Sequence, residues 1–249
     1  MQTMQELKLR YPYPRRRGIR KTLRAMIQVA FAAVADVEII GRENIPAEGP
    51  LLVVANHFSF IDPVAMIHVM PRHIEFVGGT QMPNAPSYLS WITKIWGYYS
   101  VHRGAVSRNA LRAAEAVLSQ DGVLGIFPEA GNWATVLRPA RPGAAFLAAR
   151  SGAPVLPIGF DGLTEVFPTL AKVKHAKVTL RVGQPIGPFE PAPAGKARRK
   201  HLKEIGNRIM ESIAALIPQE RRGHFSDDPA IRAAAKGTEI YPWDDSPET

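Results

Sequence analysis

Residues 51–62 read LLVVANHFSFID, five apolar residues followed directly by a polar turn that contains His57 and Asp62. An unbroken apolar run of this length is typical of a strand that is buried on both faces of a parallel sheet. His57 and Asp62 then follow the carboxyl end of that strand, where open α/β sheets place their ligands. The stretch therefore predicts a class of fold and the position of a functional site.

The spacing of His57 and Asp62 suits a base and the carboxylate that orients it. A neutral imidazole accepts a proton near pH 7, because its ordinary pKa is about 6.5. A carboxylate bonded to one ring nitrogen fixes the tautomer and stabilises the imidazolium that forms. Five positions exceed the spacing of neighbours on one helix face, so residues 58–61 are expected to form a turn. The structural alternative is that Asp62 caps a helix whose first residue is Pro63, and that His57 is a bonded core histidine.

Composition narrows the classes of protein to which the chain can belong. Its 249 residues suit one sizeable domain. The absence of cysteine excludes a disulfide scaffold, a cysteine nucleophile and thiolate metal sites. No G-x-S-x-G pentad occurs, which argues against a serine hydrolase. His68 and His73 lack the H-E-x-x-H pattern of zinc hydrolases, so no metal site is predicted.

Positive charge is concentrated near the amino terminus. The formal net charge is +9, and the first 24 residues supply most of it through eight basic residues and a single acid, Glu6. These eight residues are Lys8, Arg10, Arg15, Arg16, Arg17, Arg20, Lys21 and Arg24. A second basic cluster lies within residues 196–203. Such blocks predict an anionic partner, either lipid headgroups or nucleic acid.

The apolar segment at residues 25–35 begins directly after this basic region. It is too short to span a membrane, which takes roughly 20 apolar residues. A secretory signal is disfavoured because a strand of the domain follows at once. The pattern favours an amphipathic helix on an anionic membrane surface, which predicts a cytoplasmic protein that is peripheral on the inner face of the membrane. The alternative is a helix that packs on the core and has a solvated basic face.

Segments of strand type alternate with segments of helix type along the chain, which predicts an α/β fold. We expect a mixed, largely parallel sheet covered by helices on both faces, with an N-terminal amphipathic helix. The predicted strands are 37–40, 51–55, 74–77, 98–101, 122–127, 155–160 and 178–182. The predicted helices are 17–35, 63–69, 87–95, 107–119, 142–150 and 195–216. The predicted parts are a basic segment with an interfacial helix at 1–36, a domain at 37–217 and a loosely ordered tail at 218–249.

Three further stretches carry motifs. Residues 97–104 read GYYSVHRG, residues 125–133 read GIFPEAGNW and residues 154–160 read PVLPIGF. With the N-H-x-x-x-x-D pattern of Asn56, His57 and Asp62, they resemble the four conserved blocks of the glycerolipid acyltransferase family, the relatives of 1-acylglycerol-3-phosphate acyltransferase. The resemblance covers roughly residues 37–185.

The resemblance implies transfer of a fatty acyl group from an acyl-CoA or acyl-carrier-protein thioester to a hydroxyl of a lysophospholipid or related lipid. It implies His57 as the base and Asp62 as its orienting acid, with no cofactor and no metal. It also implies substrate-binding residues, namely Asn56, Arg103, Gly104, Glu129 and Gly131. Alternatives are an acyl-thioester hydrolase and a non-catalytic module that binds anionic lipid or nucleic acid. On the acyltransferase interpretation no nucleic acid partner is expected.

The third block departs from the family pattern. Family members commonly continue Glu-Gly-Thr-Arg-Ser, whereas Glu129 is followed here by Ala130, Gly131 and Asn132. The arginine that family members direct to the substrate phosphate is therefore missing, and Arg138 and Arg141 are the candidates to replace it. The departure leaves room for an acceptor other than lysophosphatidic acid.

Overall fold

A computed structural model describes residues 3–79, 95–101, 108–240 and 242. Its strands are β1 (Ala35–Ile40), β2 (Leu51–Ala55), β3 (Ile74–Gly79), β4 (Tyr99–Val101), β5 (Val123–Ile126), β6 (Val155–Asp161) and β7 (Ala176–Val182). Its helices are α1 (Met4–Arg10), α2 (Arg17–Val34), α3 (Asp62–Val69), α4 (Arg108–Leu118), α5 (Pro142–Ser151), α6 (Val166–Leu170), α7 (Ala197–Ala214) and α8 (Pro229–Ala235). The predicted helix at 87–95 and the predicted N-cap at Ser107 lie outside the described residues, apart from Ile95.

The strands of the described ranges form one sheet in the order β1-β7-β6-β2-β5-β3-β4. Strands β2 to β6 run in the same direction, β7 is antiparallel to β6, and β1 pairs parallel to β7. The prediction of a mixed, largely parallel sheet is confirmed. We call the edge at the carboxyl ends of β2 to β6 the carboxyl edge, and the opposite edge the amino edge.

Both faces of the sheet are covered, and β2 shows how its sequence achieves this. Leu51 and Val53 join a cluster with α2 and α3 on one face, while Leu52 and Val54 join a cluster with α4, α5 and α7 on the other. All five residues of β2 are fully buried, as the unbroken apolar run predicts. Burial of each such side chain stabilises the fold by about 1.5–3 kcal/mol before the entropy cost.

Helix α2 lies on this domain through one side and leaves another side exposed. Leu23, Ile27 and Phe31 are buried against the core, as the alternative interpretation of this segment predicts. Ile19, Met26 and Val29 are exposed, and Val29 retains 71% of its surface. No helix in the described ranges is long and apolar enough to cross a membrane.

The prediction of a loosely ordered tail is wrong for residues 218–240. This segment contains two 3-10 turns, Gln219–Arg221 and Gly223–Phe225, and helix α8. Leu137 pairs with it through backbone bonds to the Arg221 carbonyl and from the His224 amide. The segment therefore braces the loop that follows β5.

Candidate active site

Asn56 fixes the loop that carries His57. Its Nδ2 donates to the Phe160 carbonyl over 2.9 Å, and its Oδ1 accepts from the Phe160 amide over 2.7 Å. The side chain is buried and joins the end of β2 to β6. Because the side chain is buried and both of its polar atoms are bonded within the protein, the structure gives no support to the predicted role of Asn56 in binding substrate. Asn56 is a positioning residue.

His57 and Asp62 are brought together at the carboxyl edge, as predicted. His57 Nδ1 lies 2.9 Å from Asp62 Oδ2. The backbone amides of Phe58 and Ser59 donate to the same oxygen over 2.7 and 2.8 Å. The intervening residues form a tight turn because three donors converge on one carboxylate oxygen. Asp62 is the first residue of α3 and Ile61 is its N-cap, so the alternative in which Asp62 caps the helix is wrong.

The protonation state of this pair follows from its contacts. Complete burial raises the pKa of Asp62 above its ordinary value, while the bonds from His57, Ser59 and Phe58 lower it. Asp62 Oδ1 is buried and has no hydrogen-bond partner in the described ranges, so a proton placed there would find no acceptor. The contacts fit an ionised Asp62 that accepts a hydrogen bond from the protonated Nδ1 of His57.

This arrangement leaves His57 Nε2 as the acceptor nitrogen. The imidazole stacks on Phe127 at 4.2 Å between ring centroids, which fixes its plane. Its side chain keeps 15% of its surface exposed, while that of Asp62 keeps 1%. Among the described residues no hydrogen-bond partner faces Nε2, so an approaching hydroxyl could donate to it.

Glu129 binds the backbone of His57. Its Oε1 accepts from the His57 backbone amide over 2.8 Å. Its Oε2 accepts from the backbone amide and Nε of Arg138 over 3.2 and 3.1 Å. Burial raises the pKa of Glu129 to about 7, and the charge of Arg138 opposes that shift. All three contacts are donors, so the carboxylate is the form that they fit.

These contacts correct the predicted role of Glu129. The residue was expected to bind an acceptor hydroxyl, but its side chain is fully buried and both of its oxygens face donors from the protein. Glu129 therefore positions His57 and holds Arg138.

Arg138 is the arginine that reaches the third block. Its guanidinium is buried against Glu129, donates to the Gly131 carbonyl, and lies 3.6 Å from the centroid of the Trp133 ring. Gly131 is required for this packing, because a Cβ there would lie 2.3 Å from the Trp133 ring. Gly131 therefore shapes the loop, and the structure gives it no contact that would support the predicted role in binding substrate.

The comparisons with known proteins agree with this geometry. The family model described as Acyltransferase matches residues 36–161, about half of the chain. The chain belongs to the acyltransferase family.

Its similarity to individual proteins is moderate. It is 26% identical over 200 residues to a 1-acyl-sn-glycerol-3-phosphate acyltransferase of Chlamydomonas reinhardtii, covering 77% of this chain and 56% of that protein. It is 28% identical over 142 residues to the sheep (Ovis aries) 1-acyl-sn-glycerol-3-phosphate acyltransferase alpha, covering 55% of this chain and 50% of that protein. The chain thus spans about half the length of these relatives.

A solved structure shares the fold. The crystal structure of the 1-acyl-sn-glycerophosphate (LPA) acyltransferase from Thermotoga maritima superimposes with a TM-score of 0.52 at 25% identity. The match covers 81% of this chain and 84% of that one.

Within the acyltransferase site, two predicted substrate residues, Arg103 and Gly104, lie outside the described residues. Strand β4, which precedes them, ends at the carboxyl edge. Of the two candidates to replace the missing arginine, Arg138 is buried on Glu129 and Arg141 is exposed.

No motif in the sequence predicts how Trp133 and Arg138 pack together. These residues lie four and nine positions after Glu129, in an irregular loop. The available signal was compositional: an arginine and a tryptophan near an acid that follows a predicted strand can form a stacked ion pair.

Proposed function

We propose that this acyltransferase moves a fatty acyl group from an acyl thioester to a hydroxyl of a lysophospholipid. The thioester donor is acyl-CoA or an acyl-carrier protein. One observation carries the proposal: His57 is bonded to Asp62 through Nδ1 and is open at Nε2, on the edge of the sheet where β2 and β5 end.

The chemistry needs a base and no nucleophile from the protein. His57 Nε2 takes the proton of the acceptor hydroxyl as that oxygen attacks the thioester carbonyl carbon. The tetrahedral intermediate then collapses, the C–S bond breaks, and the leaving thiolate takes the proton from His57. The products are an ester and a free thiol, and the enzyme regains its starting state. General base catalysis of this kind contributes about 10²–10⁴ to the rate.

Asp62 stabilises His57 while the imidazole holds the transferred proton. While His57 holds the proton it is an imidazolium, and the buried carboxylate 2.9 Å away stabilises that cation. The same bond keeps the lone pair of Nε2 aimed away from the carboxylate before the reaction. Glu129 fixes the backbone of His57, so that the ring is held in place from two directions.

The acceptor headgroup is expected to rely on Arg103. Arg138 is buried and contacts Glu129, Gly131 and Trp133, while its buried Nη1 has no hydrogen-bond partner in the described ranges. Asn132 stands where family members have an arginine. An anionic headgroup therefore lacks a third-block arginine in this chain. This supports an acceptor that needs fewer arginine contacts than lysophosphatidic acid, such as a lysophospholipid with a phosphodiester headgroup.

We also propose that α1 and α2 hold the protein on the cytoplasmic face of an anionic membrane. Ile19, Met26 and Val29 form an exposed apolar stripe on α2, and Leu9 of α1 is 80% exposed. The exposed basic residues Arg10, Arg16, Arg17 and Lys21 lie near these side chains in sequence. Each Lys or Arg near an anionic leaflet contributes about 1 kcal/mol to binding.

An assay of products tests the acyl transfer. Purified protein is incubated with labelled acyl-CoA or acyl-carrier protein and a panel of lysophospholipids, and the products are identified by mass. We expect a diacyl phospholipid with the wild type and none with His57→Ala. Labelled free fatty acid without an acylated lipid would show a thioester hydrolase instead.

A further inference from the structure

A cavity lined by several basic side chains lies at the amino edge of the sheet, away from His57. It has a volume of about 110 Å³, and the side chains that line it include Arg20, Lys21, Arg24, Arg72, His73 and Trp96. The contacts of Arg72 locate the cavity at the amino edge, because this residue donates to the carbonyls of Gly49 and Asp121, which shortly precede β2 and β5. The five residues of β2 span roughly 16 Å, so the cavity is remote from the catalytic pair.

Arg20 is neutralised by Glu75, whereas Arg24 and Arg72 are held in place without a carboxylate partner in the described ranges. Arg24 donates to the Pro71 carbonyl over 2.7 Å, and Arg72 donates to backbone carbonyls, so neutral acceptors hold both guanidinium groups in place. Lys21 is exposed and has no ion-pair partner in the described ranges. The lining thus holds four cationic side chains and no carboxylate.

Glu75, the buried acid beside this cluster, already binds two arginines. Glu75 is fully buried and accepts from both Arg20 and Arg15, so one carboxylate faces two guanidinium groups. Burial lowers the pKa of His73, the charges of Arg20, Arg17 and Arg24 lower it further, and Glu75 opposes them. Helix α2 also begins here without an acidic residue in its first turn and without a side-chain cap. Its amino end therefore adds positive potential to the cluster.

We propose that this cavity binds a phosphate-class oxyanion, either free phosphate or the phosphate of an anionic lipid headgroup. Arginine and lysine side chains are the usual protein ligands of phosphate oxygens. A water molecule needs about 10–15 Å³ of such space, so the cavity has room for an anion of several atoms. The site is separate from the acyl transfer proposed above and does not depend on it.

Nuclear magnetic resonance of the full chain tests the proposal without any thioester or acceptor present. The ring signals of His73 are assigned by comparison with His73→Gln and followed at one pH. One arm adds inorganic phosphate against chloride at equal ionic strength. The other adds dihexanoyl phosphatidic acid, below the concentration at which it forms micelles, against dihexanoyl phosphatidylcholine.

We expect the His73 signals to shift with phosphate or with phosphatidic acid, and the tighter of the two identifies the source of the anion. Lys21→Glu should weaken the affinity about tenfold or more, because a charged hydrogen bond is lost and a repulsive charge is added. Lys203→Glu makes the same charge change on the exposed side of α7 and should leave the affinity unchanged. The proposal is overturned if neither anion shifts His73, or if Lys21→Glu binds as tightly as the wild type.

Discussion

Asp62 and Glu129 are both fully buried carboxylates at the carboxyl edge, yet they act on different parts of the same histidine. Asp62 accepts from the imidazole, so it sets the tautomer and orientation of the ring. Glu129 accepts from the His57 backbone amide and from Arg138, so it sets the place of the loop. The difference shows that burial of an acid beside an active-site histidine does not by itself make it part of the proton transfer. The hydrogen-bond partners of each carboxylate decide its role.

Removal of the imidazole should have the largest effect. In His57→Ala no base remains for the acceptor hydroxyl, and we expect the rate of acyl transfer to fall by about 10⁴, the upper end of general base catalysis. The ring is partly exposed and at the surface of the core, so the thermal midpoint should change little. A folded His57→Ala protein with wild-type activity would contradict the mechanism.

Removal of the charge on Asp62 should be almost as damaging. In Asp62→Asn the amide cannot stabilise an imidazolium, and we expect kcat to fall by about 10³. Because the two residues act as a unit, adding Asp62→Asn to His57→Ala should cause no further loss. Steady-state kinetics of the two single variants and the double variant measure this. Additive losses would show that Asp62 acts apart from His57.

Much of the fold follows from local sequence patterns. The apolar run of β2 is found at Leu51–Ala55, as predicted, because a strand buried on both faces leaves no polar position. Helix α1 was missed although Thr3 and Glu6 form a capping box, a signal that can be read from sequence. Helix α8 was missed although Asp228 and Pro229 give a typical helix start. Both helices are only two turns long, and they are stable because they pack on the domain.

The pairing of His57 with Asp62 was predictable from the sequence, and the contacts that support it were not. His57 and Asp62 are joined by a short turn, so their spacing alone limits their distance. The contact of Glu129 with the His57 amide joins residues 72 positions apart, and it depends on the register of β2 beside β5. The same holds for Asn56 and Phe160, which are 104 positions apart. Such contacts come from sheet topology, which a motif does not encode.

The role of Glu129 in holding the loop should be measurable as a change in the free energy of unfolding. Arg138→Met leaves a buried carboxylate without its cation, and we expect the free energy of unfolding to fall by about 3 kcal/mol or more. Denaturant unfolding measures this. Arg150→Met removes the exposed pair with Glu115, where Arg150 keeps 64% of its side-chain surface, and should cost less than about 1 kcal/mol. Equal losses in the two variants would show that the Glu129–Arg138 pair has no special role.

The backbone conformation of Ala130 gives the prediction with the smallest expected effect. Ala130 adopts a left-handed conformation with φ of 63°, at the position where family members commonly have glycine. Ala130→Gly should therefore raise the free energy of unfolding by up to about 1 kcal/mol, because glycine adopts this conformation without steric cost. Gly152 has φ of 64° and open space around it, so Gly152→Ala reports the same strain with the opposite sign. A loss of stability in Ala130→Gly would mean that the alanine methyl group makes packing contacts worth more than the strain it brings.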